Sequence, residues 1–151
     1  MRIEITDTHE FSQMLIDLHR ISIETPIAGL TIDSRLFEKG DMFIPIKGER
    51  VDGHDFIPDI LKKQPALVVT ELTLEKCCYP VVKVGNTRDY IASIAAEWRK
   101  QLDCIIIGIT GSNGKTTSKE LLWHILSGKM NCFKTQGNYN TVLSVPLSVL
   151  S

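Results

Sequence analysis

Cys104-Ile105-Ile106-Ile107-Gly108-Ile109-Thr110-Gly111-Ser112-Asn113-Gly114-Lys115-Thr116-Thr117 decides the fold class. Its first six residues are apolar apart from one glycine, a run of the length and composition of a buried parallel strand. A helix is predicted to follow from about Thr117 to Ser127, with Leu121, Leu122 and Ile125 facing inward and Gly128 as its stop. Between strand and helix lie glycines, which let the backbone fold tightly and turn successive N–H groups toward one point. The helix adds the positive end of its dipole, equivalent to about half a charge.

That order of strand, glycine loop and helix is the setting of a phosphate-binding loop. Thr110, Gly111, Ser112, Asn113, Gly114, Lys115, Thr116 and Thr117 are therefore the candidate nucleotide-binding residues. Lys115 supplies a mobile cation to the β- and γ-phosphates of ATP, as the candidate catalytic group. Thr116 supplies a hydroxyl to Mg²⁺, as the candidate metal ligand. A strict G-x-x-x-x-G-K-[ST] pattern requires glycine at position 109, where this chain has Ile109. The remaining elements all agree.

Beyond the helix, Met130–Lys134 reads as the next strand of a βαβ unit, and Gly137 opens a loop carrying Asn138, Tyr139 and Asn140. The apolar tail of Val142, Leu143, Val145, Leu147, Val149 and Leu150 has no evident partner to bury it. Upstream, Phe11, Met14, Leu15 and Leu18 recur at helical spacing over about residues 8–20. Strands are predicted at 29–32, 42–46, 66–70 and 81–84, and a helix capped by Asp55 runs to about Lys63. A long helix capped by Asn86 or Thr87 reaches about Gln101, with Tyr90, Ile91, Ile94, Ala95 and Trp98 as its stripe. The reading is α/β: a small α/β unit over residues 1–100, then the start of a parallel-sheet ATPase unit over 101–151.

The 151 residues are 43% hydrophobic and 23% charged, with a net charge of −1. This balance gives no electrostatic reason to expect nucleic acid as a partner. No apolar run approaches the roughly 20 residues of a membrane helix, so no membrane insertion is expected. The N-terminus lacks the charged and apolar regions of a secretory signal. Cys77, Cys78, Cys104 and Cys132 show no C-x-x-C spacing and are expected to be buried, reduced thiols. A cytoplasmic location follows.

With these residues on the page, the segment GITGSNGKTTSKELL resembles the ATP loop of the Mur ligases, which build the peptide of the bacterial cell-wall precursor and use the variant T-G-x-x-G-K-T. Asp33-Ser34-Arg35, Gly40-Asp41-Met42-Phe43 and Gly48 through Phe56 are similar to that family's D-S-R, G-D-x-F and G-x-x-x-D-G-H-x-F, in the same order. GNYNTVLSVPLSVL resembles members that add D-alanyl-D-alanine to a UDP-N-acetylmuramoyl-tripeptide, although Thr141 and Ser144 depart from the usual residues there, as Ile44 and Pro45 do after the upstream Met42-Phe43. The resemblance implies an acyl phosphate formed from ATP and the substrate carboxylate, then attack by the incoming amine. It implies ATP and Mg²⁺ as cofactors, a UDP-muramoyl peptide and D-alanyl-D-alanine as small-molecule partners, and a monomer. It assigns Asp33, Ser34, Arg35, Gly48, Asp52, His54, Asn138 and Asn140 to substrate binding. The family's metal-binding Glu, its His, its carbamylated Lys and its adenine contacts have no counterpart here, so the chain looks like a fragment and is expected to be inactive alone.

Other readings stay open at this point. A ligase adding a single amino acid to a muramoyl peptide or to folate is a second reading within the family, against which the GNYN…PL segment speaks. A non-catalytic UDP-sugar-binding module fits residues 1–100. His54 either contacts the nucleotide or caps the next helix, and Asn138 and Asn140 either meet the substrate or form an Asx turn. His9, His19 and His124 read as surface or packing residues, Trp98 and Trp123 as core.

Overall fold

Side chains alternate across a strand, and Leu67-Val68-Val69 shows what that alternation builds. Leu67 and Val69 enter one hydrophobic cluster and Val68 enters another, so both faces of this strand are buried. Met42 and Ile44 likewise join the first cluster and Phe43 the second. The sheet between the two clusters, in the computed structural model of the protein, has five strands in sequence order. The structure describes residues 1–75, 77–135 and 143–150.

The strands are β1 (Arg2–Glu4), β2 (Gly29–Thr31), β3 (Asp41–Phe43), β4 (Leu67–Thr70) and β5 (Val81–Lys83). β1 is antiparallel to β2, and every later pairing is parallel. Helix α1 (Thr8–His19) and helix α3 (Thr87–Gln101) cover the first face through Phe11, Leu15, Ile91, Ile94 and Trp98. Phe11 and Trp98 meet edge to face, with ring centroids 5.3 Å apart. Helix α2 (Ile57–Lys62) covers the second face through Ile57 and Ile60. Helices on both faces of a mostly parallel sheet are the expected α/β arrangement.

Local chemistry sets the element ends. Asn86 caps α3 by accepting from the Arg88 and Asp89 amides, which decides between the two predicted caps. The predicted cap Asp55 is corrected: Asp52 caps a 3₁₀ turn over Gly53–Phe56, and α2 begins only at Ile57. β1 was not predicted, because two of its three residues are charged. It is held by the bidentate pair of Arg2 with Asp41, at 2.8 and 3.0 Å, beside the Glu38 amide at 3.0 Å on the same carboxylate. Gly29 stands between them, where a Cβ would lie 2.6 Å from Asp41 Oδ1.

The second half departs further from expectation. Helix α4 (Lys115–Ser127) forms, but residues 104–109 pair with no strand and Ile105 is 88% exposed. Leu121 and Ile125 are exposed instead of turned inward. A strand satisfies its backbone only through a neighbour, and no described strand lies beside this one. Residues 131–135 are not a strand either, and are tied to α4 by side chains. Lys119 donates to the Thr135 carbonyl at 2.7 Å and Trp123 Nε1 to the Cys132 carbonyl at 3.1 Å. Trp123, predicted as core, is half-buried with the Lys134 ammonium 3.8 Å from its ring centroid. The tail predicted to lack a partner forms helix α5 (Ser144–Val149), which packs on α3 and buries Leu147 with Leu150 in the first cluster. The four cysteines are free thiols but none is buried.

Candidate functional site

In a parallel sheet, ligands meet the loops that leave the carboxyl ends of the strands. The chain after β2 carries Asp33, Ser34 and Arg35, and the chain after β3 carries Gly48, Asp52 and His54. All six predicted residues of this group therefore lie on one edge of the sheet.

Asp33 is set by its own turn. It accepts from the Arg35 amide at 3.1 Å and takes both arms of the Arg35 guanidinium, at 2.9 and 2.7 Å. The hydrogen bond from that guanidinium is the main reason the Asp33 carboxyl titrates at about 2. Arg35 itself is exposed, and the Ser34 carbonyl accepts from Lys63 Nζ at 3.4 Å. The buried Thr31 hydroxyl shares its one proton between the Met1 and Asp33 carbonyls and accepts from the Asp33 amide, which anchors this turn to the end of β2.

The loop after β3 is a small hairpin. Lys47 and Asp52 form an antiparallel bridge, and the Gly48 amide donates to the Val51 carbonyl at 3.0 Å. Asp52 accepts from the His54 amide at 3.0 Å and meets His54 Nδ1 at 2.6 Å, two contacts that hold its carboxyl below the usual range. His54 is buried, and its Nε2 accepts from the Glu71 amide at 3.3 Å. With Nε2 accepting, the ring proton sits on Nδ1 and is donated to Asp52. Glu71 Oε1 in turn accepts from the Thr87 amide and hydroxyl, at 2.9 and 3.1 Å. Sequence reasoning missed Glu71, Thr87 and Arg88. The one available signal was that Glu71 follows β4 directly and Thr87 opens α3, both on the same edge.

The glycine loop is a second locus. Gly111 has φ +149° and Gly114 φ +77°, conformations that L side chains rarely adopt. Gly114 leads into α4 without any side-chain cap. The first amides of a helix have no acceptor in their own helix, so those of Lys115, Thr116 and Thr117 are donors available to an anion. Lys115 folds back so that Nζ donates to the Gly111 carbonyl across the loop. Residues 110–114, Thr116 and Thr117 are exposed, and nothing lies within 4 Å of a Cβ built at Gly114. The donor set, the open space and the cation fit a polyphosphate, and the Thr116 hydroxyl at the first turn fits a metal ion bridging it. Asn138 and Asn140 lie outside the described residues. Among the described residues no group of three or more His, Cys, Asp or Glu is arranged to hold a metal, and no helix is long and apolar enough to cross a membrane.

Residues 26–99 match the profile of the Mur ligase family, catalytic domain, and residues 109–151 match the Mur ligase middle domain. The chain belongs to the Mur ligase family. Two Mur ligases of known name are 38% identical to it. One is the UDP-N-acetylmuramoyl-tripeptide–D-alanyl-D-alanine ligase of Synechocystis, over 138 residues, or 90% of this chain and 30% of the relative. The other is the UDP-N-acetylmuramoyl-L-alanyl-D-glutamate–2,6-diaminopimelate ligase of Clostridium perfringens, over 106 residues, or 68% of this chain and 22% of the relative. The crystal structure of the MurF ligase of Thermotoga maritima in complex with ADP superposes with a TM-score of 0.75 at 36% identity, covering 80% of this chain and 28% of that one. The chain thus spans less than a third of the length of the Mur ligases it matches.

Proposed function

We propose that this chain binds the nucleotide substrates of an ATP-dependent ligase that joins D-alanyl-D-alanine to UDP-N-acetylmuramoyl-tripeptide in the cytoplasm, as a monomer. Residues 1–100 bind the UDP-sugar and residues 101–151 begin the ATP-binding unit. The observation that carries the reading is the left-handed Gly114 leading into the uncapped start of α4, with Lys115 reaching back over the loop.

The amides of residues 111–117 hold the polyphosphate oxygens, and Lys115 exchanges its bond to the Gly111 carbonyl for the β- and γ-phosphates. Thr116 holds Mg²⁺ through its hydroxyl. In the ligase reaction the substrate carboxylate would take the γ-phosphoryl of ATP with release of ADP, and the incoming amine would then displace phosphate from the acyl phosphate, losing a proton as the amide forms. Asp33, Ser34, Arg35, Gly48 and Asp52 meet the UDP-muramoyl peptide at the carboxyl edge of the sheet, and Asn138 with Asn140 approach its peptide or the metal. Arg35 already donates to Asp33 through Nε and Nη2, so Nη1 is the arm it offers a diphosphate.

Calorimetric titration with MgATP, UDP and UDP-N-acetylmuramoyl-tripeptide tests this. The chain is expected to bind each, and Lys115→Ala to lose MgATP alone. Two unit charges 4 Å apart at an effective dielectric near 20 interact by about 4 kcal/mol, which sets the scale of that loss. Equal MgATP affinity in parent and variant refutes the assignment. The identity to the diaminopimelate-adding ligase of Clostridium perfringens favours a second reading, addition of a single amino acid. Assay of the complete open reading frame with D-alanyl-D-alanine against meso-diaminopimelate, each with its own muramoyl acceptor, separates the two.

A further inference from the structure

Six residues at the carboxyl edge of the sheet close a circuit made of side-chain hydrogen bonds and the backbone of one hairpin. Lys47 bridges Asp52 across the hairpin, and Asp52 accepts from His54 Nδ1 at 2.6 Å. The opposite ring nitrogen of His54 accepts from the Glu71 amide at the end of β4. The Glu71 carboxylate holds the Thr87 amide and hydroxyl at the start of α3. The next residue, Arg88, returns through Nη2 to the Lys47 carbonyl at 3.1 Å. We infer that His54 is a positioning residue whose two ring nitrogens lock the 47–52 hairpin to β4 and α3, so that this loop meets its ligand preformed.

The chemistry requires an imidazole. Neutral imidazole donates at one ring nitrogen and accepts at the other across the width of a rigid ring, a longer reach than the planar amide of Asn. His54 is buried, and both nitrogens are consumed inside the protein, which leaves it no polar atom for a ligand. The backbone beneath it is equally constrained. The Gly53 amide donates to the Ile46 carbonyl at 3.1 Å, and a Cβ at Gly53 would come within 2.8 Å of the Ile46 nitrogen. The exposed residues Gly48-Glu49-Arg50-Val51 are thereby carried on a fixed base. A loop ordered before binding does not spend binding free energy on being ordered. The consequence for affinity rests on the proposal that this loop meets the UDP-sugar. The circuit itself does not.

Amide hydrogen exchange on the chain tests the circuit, and calorimetry with UDP-N-acetylmuramic acid tests its consequence. In His54→Leu and in Glu71→Ala, exchange at Gly48 and Gly53 is expected to accelerate by on the order of tenfold or more, with Leu30 and Val69 in the sheet unchanged. The double variant adds little to either single one, because both cut the same circuit. His54→Asn keeps a donor toward Asp52 and is expected to recover part of the protection, which a mere volume effect would not give. Glu71→Ala, at a half-exposed site, serves if His54→Leu fails to fold. Unchanged exchange in Glu71→Ala, or additive effects in the double variant, overturns the inference. Faster exchange with undiminished affinity for the UDP-sugar overturns the claim that preforming the loop matters to binding. A parent that does not bind UDP-N-acetylmuramic acid defeats the substrate reading instead, and the exchange result still decides the circuit.

Discussion

Leu67-Val68-Val69-Thr70 and Ile105-Ile106-Ile107 are nearly interchangeable as apolar strand sequences, yet only the first is in a sheet. All four residues of β4 are buried between two parallel neighbours, whereas Ile105 is 88% exposed and its run has no strand partner among the described residues. The difference lies in what surrounds each run. A strand must find its hydrogen bonds and its packing in other segments, so an apolar composition states a requirement and does not meet it. The helix beside the second run needs no such help. α4 closes its backbone bonds internally and forms where the sequence places it, even with Leu121 and Ile125 exposed.

The contrast predicts where substitutions matter. The largest loss is expected for Asp41→Ala. The Asp41 carboxylate is fully buried and holds both arms of Arg2 and the Glu38 amide, so its removal leaves a largely buried guanidinium with only the exposed Glu4 and Glu38 carboxylates as ionic partners. Breaking one side of such a pair costs about 3–5 kcal/mol, readable as a lower midpoint in urea. A loss below about 1 kcal/mol would mean that β1 is not anchored through this pair. Leu147→Ala comes next. Leu147 belongs by sequence to the segment matching the middle domain and by packing to the core beneath α3. Deleting a buried leucine to alanine there is expected to cost about 2–4 kcal/mol in the same assay. A negligible change would mean that Leu147 contributes little to the first core.

The sequence displayed the first region well wherever the signal was local. Helical spacing placed α1 and α3, β-branched runs placed β4 and β5, and Asn86 marked a helix start. The glycine loop was legible for the same reason, because two glycines, a lysine and a threonine at fixed spacing act on one another within a single turn. What escaped was long-range. Asp41 looks like a turn residue until Arg2 arrives from 39 residues away, and His54 looks like a ligand contact until Glu71 takes its second nitrogen. The burial of α5 is of the same kind, since nothing near Leu147 announces that α3 will be its partner.

The smallest expected effect belongs to the run that has no strand partner among the described residues. Ile106→Ser alters a half-exposed side chain outside any sheet, and substitutions of that sort move stability within about 0.5 kcal/mol. In β4, by contrast, Val68→Ser would bury a hydroxyl between Phe43 and Ile60 and cost several-fold more. Urea unfolding of the two variants side by side measures the contrast directly, because the inserted side chain is the same. Should Ile106→Ser destabilise the chain as much as Val68→Ser, the run around Ile106 is covered in solution. Dependence of that loss on protein concentration would then identify the cover as another copy of the chain, since self-association stabilises by mass action. Independence of concentration would place the cover within the chain itself.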